Sequence, residues 1–136
     1  MGTFTPVIGT TASARELQLL VPPSVQHLRA VRLVAADTAG RAGFDCEQTD
    51  DLRIAVDELC HSVMRFASGP ITLVFAPDEG RVTIEGSAPC EPPGAAPLLT
   101  PLSEAILHSV SECFEIVDHP PGVRFMLVME RQPVCR

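Results

Sequence analysis

The chain contains no Lys, Asn, Tyr or Trp in its 136 residues, and each absence removes a class of chemistry. Without Lys there is no Walker A phosphate lysine, no Schiff base and no protein-kinase strand lysine, whatever the fold. All ten cationic side chains are therefore Arg. Without Tyr or Trp, and with its six Phe dispersed, the sequence offers no stacking platform for single-stranded nucleic acid. A formal net charge of −7 also argues against direct DNA or RNA binding, which needs clustered cations that release counterions from phosphate. A protein partner is expected instead. No apolar run reaches the roughly 18 residues of a membrane-spanning helix. The opening MGTFTPVIGTTASA lacks the basic start and long apolar core of a secretory leader, so a cytoplasmic protein without membrane attachment is expected. The five Cys, at 46, 60, 90, 113 and 135, are odd in number and form neither a CxxC pair nor a dense disulfide spacing. Small, reduced, buried thiols are the simplest reading, and a zinc site from Cys60, His61, His108 and Cys113 is the alternative.

What is present is enough apolar material for one core: 46% of residues are hydrophobic, in a chain near the usual size of a single domain. Residues 1–13 are small, polar and unpatterned and are expected to be a frayed lead. The domain is expected over 14–131, with a loose tail at 132–136. Leu17, Leu19 and Val21 alternate as in a strand, and Pro22-Pro23 ends it. From Ser24, Val25, Leu28, Val31, Val34 and Ala35 recur at helical spacing, and Gly40 and Gly43 supply the stop. A second helix is predicted from Cys46 to Ala67: Asp45 caps it, Gln48 completes a capping box, and Phe44 precedes as a staple. Its stripe is Leu52, Val56, Leu59, Val63 and Ala67, edged by Phe66 and Cys60. Short strands follow at Ile71–Phe75 and Arg81–Ile84, around a turn-rich Ala76–Gly80. Gly86–Pro97, with four Pro and two Gly, is predicted to be a mobile loop. A third helix carries Leu102, Ala105, Ile106, Ser109 and Val110. Strands Cys113–Val117 and Val123–Met129 flank a turn at His119–Gly122. The order β-α-α-β-β-α-β-β predicts an α+β two-layer sandwich, with helices on one face of a mixed, mostly antiparallel sheet.

Residues 52–67, Leu-Arg-Ile-Ala-Val-Asp-Glu-Leu-Cys-His-Ser-Val-Met-Arg-Phe-Ala, resemble a family motif. The similarity is to the second helix of the anti-sigma factor serine kinases, within the GHKL (histidine kinase-like) ATPase superfamily, which typically reads L-R-L-A-V-D-E-A-C-T-N-A-I-x-H-A. The order of elements from Arg15 to Arg131 agrees with that fold. In the family a helix Glu is the general base and an Asn four residues later holds Mg²⁺, since positions i and i+4 share a helix face. The resemblance places Glu58 at the base position and Ser62 at the metal position, where a neutral hydroxyl is a weaker ligand than an amide oxygen. Read from the residues alone, Glu58 is equally well a solvated helix acid paired with Arg65 or Arg53.

The family's second motif is a strand ending in D-x-G-x-G, whose Asp reads the adenine amino group. It falls on Gly86-Ser87-Ala88-Pro89-Cys90, which makes Gly86 and Ala88 the cofactor-binding candidates, and the acceptor is missing. Loss of that contact costs on the order of 1 to 3 kcal/mol of binding. The family's phosphate-holding G-x-G-L turn aligns with Pro101-Leu102-Ser103-Glu104. Proline there lacks a donor and Glu104 adds negative charge, so both changes oppose ATP. The closing Gly-Thr becomes Gly122-Val123, which keeps the turn and loses the hydroxyl; with Ser62, Gly86 and Ala88, these two complete the cofactor-binding candidates that the resemblance implies. The resemblance implies ATP and Mg²⁺ as cofactors, a homodimer, and a sigma factor and an anti-sigma antagonist as protein partners in a stress-response switch. The departures from the motifs favour a regulator that acts by binding, the alternative being an active ATP-dependent serine/threonine kinase. Ile54, which the helix wheel sets among Asp50, Asp57, Glu58, His61 and Arg65, is a candidate interface point.

Overall fold

The computed structural model describes residues 15–90, 98–111, 113–119 and 121–131. The expected lead at 1–13, the tail at 132–136 and residues 91–97 of the predicted loop lie outside the described residues. The elements are β1 (Leu17–Val21), a single 3₁₀ turn (Val25–His27), α1 (Leu28–Arg41), α2 (Cys46–Met64), β2 (Ile71–Asp78), β3 (Arg81–Pro89), α3 (Pro101–Val110), β4 (Cys113–His119) and β5 (Gly122–Glu130). This is the predicted α+β order. The five strands form one sheet in the order β1-β2-β3-β5-β4, and every pairing is antiparallel.

Alternation in β2 and β3 turns one side of the sheet inward: Ile71, Leu73 and Phe75 from β2, Val82 and Ile84 from β3, and Phe125 and Leu127 from β5 are buried. Against them lie Val31, Ala35 and Ala39 of α1 and Leu52, Ala55, Val56, Leu59, Cys60 and Val63 of α2. Each large side chain fully buried in this layer contributes about 1.5–3 kcal/mol. The stripe predicted for the second helix is therefore the core stripe from Leu52 to Val63, while Phe66 and Ala67 pack at its margin.

The start of α2 is as predicted. The Asp45 carboxylate accepts from the Gln48 amide at 2.8 Å, and the Gln48 side chain accepts from the Asp45 amide at 3.4 Å. Its end comes earlier, at Met64 rather than Ala67. Arg65 and Phe66 turn inward through bonds to the carbonyls of Ser62 and Val63, Ala67 bridges to Cys90, and Ser68 donates to Pro89 at 2.8 Å. The sheet thus captures the last predicted helical turn. At the first helix, Ser24 donates to the Pro22 carbonyl and His27 to that of Ser24. The tighter 3₁₀ turn leaves Val25 59% exposed rather than on the core stripe.

The predicted loop at Ala76–Gly80 is mostly strand. Pairing continues through Pro77↔Val82 and Asp78↔Arg81, leaving a two-residue turn in which Gly80 has φ +74°. Likewise β3 runs past Ile84 to Pro89, because β5 pairs along its whole length from Arg81↔Glu130 to Pro89↔Gly122. Gly86, Pro89 and their neighbours look like loop punctuation, yet strands on both sides override that local preference. In α3 the buried residue is Leu107, and Leu102, one of the residues whose spacing predicted the helix, is 70% exposed. Among the described cysteines Cys60 is buried, Cys90 half-buried, and Cys46 and Cys113 exposed, so the buried-thiol reading holds for Cys60 alone.

Candidate functional site

The long apolar stripe fixes how α2 sits on β3 and β5, and hence where Glu58 and Ser62 go. Ser62 turns to the core side and is 2% exposed. Glu58 is half-buried at the edge, facing the start of α3. There its Oε1 accepts a hydrogen bond from the Ser103 hydroxyl at 2.8 Å. The Thr100 hydroxyl donates to Ser103 Oγ at 3.0 Å, and the Ser103 amide donates back to Thr100 Oγ1 at 3.0 Å, which is the N-cap of α3. The predicted Arg partners of Glu58 are engaged elsewhere. Arg53 pairs with Asp50 at 2.7 Å, and the Arg65 guanidinium lies over the Phe66 ring, 5.0 Å from its centre.

Pro101-Leu102-Ser103-Glu104 forms the first turn of α3, with proline at the first position. A proline there suits a helix start and offers no amide to an anion. The Ser103 amide is taken by the cap, and the Glu104 amide donates to the Thr100 carbonyl at 2.9 Å.

The four strand candidates lie together at the β3–β5 junction. Ala88 pairs with Val123, Gly122 with Pro89, and Gly86 with Phe125. The inward row of β3 consists of Val82, Ile84, Gly86 and Ala88, all buried, so no side-chain acceptor faces the core from this strand at either motif position. The two glycines leave no open space. A Cβ on Gly86 would lie 2.3 Å from Cε2 of Phe125 and 3.0 Å from Cδ2 of Leu73. One on Gly122 would lie 2.1 Å from the Ala88 carbonyl oxygen. Both positions are glycine because the chain itself approaches them closely.

Ile54 is 43% exposed, on the outer side of α2 as the wheel predicts, and Leu33 of α1 is 65% exposed. Both line a groove of about 560 Å³ between α1 and α2, whose rim carries Arg29, Arg32 and Arg53 with Asp50, Asp57 and Glu58. Arg32 and Asp57 close on one another at 2.6 Å. Sequence reasoning did not single out Leu33 or Ser103. Leu33 was detectable as an apolar residue off the Leu28-Val31-Ala35 stripe. Ser103 meets Glu58 across 45 sequence positions, which no local pattern reports.

A second groove, of about 720 Å³, lies at the start of α2, between Asp51, His108 and Cys113. Among the described residues no group of three or more His, Cys, Asp or Glu side chains could hold a metal ion, so Cys60, His61, His108 and Cys113 do not assemble into a zinc site. Burial pushes the Cys60 thiol well above its ordinary range, with the nearby Asp57 charge adding to the effect. No helix of the described residues is long and apolar enough to cross a membrane.

Comparison with known proteins agrees with this architecture. The chain is 30% identical over 73 residues to the serine-protein kinases RsbW of Bacillus mycoides (strain KBAB4) and Bacillus cereus (strain B4264). Those alignments cover 51% of this chain and 46% of each relative, so the match spans about half the length of either protein. The fold is also similar to part of the structure of the RsbU and RsbW domains of Rv1364c from Mycobacterium tuberculosis, with a TM-score of 0.67 at 15% identity over 90% of this chain and 34% of that one. The model of the histidine kinase-like ATPase domain matches residues 21–122, from the end of β1 to the start of β5, and the chain belongs to that family.

Proposed function

We propose that the protein is an anti-sigma-factor-like regulator, which binds a sigma factor or an anti-sigma antagonist in a bacterial partner switch and does not turn over ATP. The single observation that carries the second half of this reading is the Ser103–Glu58 hydrogen bond. In the family the equivalent carboxylate must be free to take a proton from the attacking hydroxyl, whereas here it already accepts from the chain's own α3. The surroundings support the same conclusion. Ser62 is buried, Phe125 fills the space beside Gly86, the inward face of β3 has no acceptor, and α3 starts with proline. These features weigh against a site for ATP with Mg²⁺ here.

The partner reading rests on family membership and on similarity to RsbW, and the α1–α2 groove supplies a surface for it. Leu33 and Ile54 form an apolar centre within a charged rim, the anatomy of a protein interface. Among the described residues Arg29 has no ion pair, so the groove suits a partner segment that presents an apolar side chain flanked by an acid. On the same reading the domain spans 14–131, resides in the cytoplasm and forms a homodimer, as the family resemblance implies.

One observation favours an active serine/threonine kinase instead: Glu58 stands at the family's base position, within the residues 21–122 that match the histidine kinase-like ATPase domain. Calorimetry with Mg·ATP, and phosphoryl transfer to a candidate antagonist, separate the two readings. No binding tighter than about millimolar, equivalent to about −4 kcal/mol, is expected. A low-micromolar constant together with transfer abolished by Glu58→Ala would establish the kinase.

A further inference from the structure

We propose that Glu58 and Ser103 form a latch that holds the start of α3 against α2, so that the carboxylate at the family's base position serves here as an internal anchor. The inference deepens the reading above and rests on it in one respect, that Glu58 is not free to act as a base.

The hydrogen-bond chain permits only one arrangement of its protons. Glu58 offers acceptor oxygens only, so Ser103 must donate its hydroxyl hydrogen to it. The Ser103 oxygen is then an acceptor, and the Thr100 hydroxyl donates to it. The Thr100 oxygen in turn accepts from the Ser103 amide. Each donor polarises the next along the chain, which ends on the Glu58 carboxylate. The cap of α3 and the charge on α2 are thus one connected network.

Charge and position reinforce it. The carboxylate lies beside the first turn of α3, the positive end of the helix dipole, where a negative group is favourable. A phosphate approaching this turn would meet Glu58 already in place, with Glu104 in the same turn and no amide on Pro101. Within α3 the fully buried side chain is Leu107, Leu98 and Leu99 pack against the core just ahead of the cap, and the Ser103–Glu58 bond is the polar contact that ties the first turn to α2. Opening the face between α2 and α3 therefore requires breaking the Ser103–Glu58 bond.

Amide hydrogen exchange on the full-length chain tests the latch, with Ser103→Ala, Glu58→Ala, the double variant and Glu58→Gln compared with the unaltered protein. Exchange at residues 103–107 is expected to quicken about fivefold in either alanine variant. The double variant should be no faster than the singles, because one bond can be lost only once. Glu58→Gln should keep most of the protection, since its amide oxygen still accepts from Ser103, whereas a general base would not survive that change. α1 should be unaffected throughout and reports global destabilisation. Unchanged exchange in Ser103→Ala, or an effect of the double variant equal to the product of the singles, overturns the latch. Phosphoryl transfer from ATP by the unaltered chain would instead overturn the non-catalytic reading, a separate readout that the exchange pattern does not decide.

Discussion

Replacing Gly86 by alanine is the most direct probe of how the β3–β5 junction is filled. The added methyl would arrive 2.3 and 2.5 Å from two ring carbons of Phe125 and 3.0 Å from Cδ2 of Leu73. Carbon atoms in a core rest about 3.5–4.0 Å apart, so the ring must retreat by more than 1 Å. Phe125 is 1% exposed and Leu73 wholly buried, so neither has free space to move into. Such overpacking costs about 1–3 kcal/mol. For a domain of this size that corresponds to a fall in Tm of roughly 3–12 °C. Phe125→Leu alone trims the ring and should cost about 1–2 kcal/mol through the cavity it leaves. Combined, the two changes should compensate, because the methyl enters the volume the ring vacates. The coupling should reach about 1–2 kcal/mol in the stabilising direction. Urea denaturation of the four proteins, with m-values compared to confirm that the denatured state is unchanged, gives these quantities directly. A Gly86→Ala stability within about 0.5 kcal/mol of the original, or strict additivity in the double variant, would refute the close-packed junction.

Asp45→Ala removes the carboxylate half of the capping box, the acceptor for the Gln48 amide, and should cost about 1 kcal/mol, with faster amide exchange confined to the first turn of α2. Cys60 should resist alkylation at pH 8 in the native protein while Cys46 and Cys113 react, and it should become reactive only on unfolding. Its raised native pKa also sets a sign. Above the ordinary value of 9.0 the unfolded thiol loses its proton and the native one keeps it, so stability should fall with pH by about 1.4 kcal/mol per unit, and Cys60→Ala should flatten that slope. Leu33→Asp and Ile54→Asp, on exposed sites, should each leave stability within about 0.5 kcal/mol and weaken partner capture at least tenfold. Undiminished capture in both would remove the α1–α2 groove from the proposed interface.

The helices were legible in the sequence where their signals are local. Asp45, Gln48 and Phe44 mark the start of α2, and the spacing from Leu52 to Val63 marks its buried face. Strand lengths were not. Gly86 and Pro89 are loop formers by composition, and only the presence of β2 and β5 on either side keeps them in the sheet. Of the candidate site, Glu58 was found through its motif and Ile54 through the helix wheel, but what surrounds Glu58 was hidden. Its partner Ser103 belongs to another helix, and Arg53 and Arg65, nearer in sequence, are diverted to Asp50 and Phe66. Gly122 matched the family glycine for a different reason, the 2.1 Å that a side chain would leave to the neighbouring strand's carbonyl.

The strand order gives this domain a particular relation between synthesis and assembly. β5 is the final strand of the chain's described elements, yet it lies inside the sheet, bonded to β3 on one flank and β4 on the other. A nascent chain released only as far as residue 121 has the three strands β1, β2 and β3 that pair with one another and a β4 with no neighbour to pair with. The part of the sheet's inner wall made by Val123, Phe125 and Leu127 has yet to arrive. The sheet can therefore be completed only once almost the whole domain has been synthesised, and truncation before Gly122 would leave two unpaired edges where the native sheet has a continuous interior.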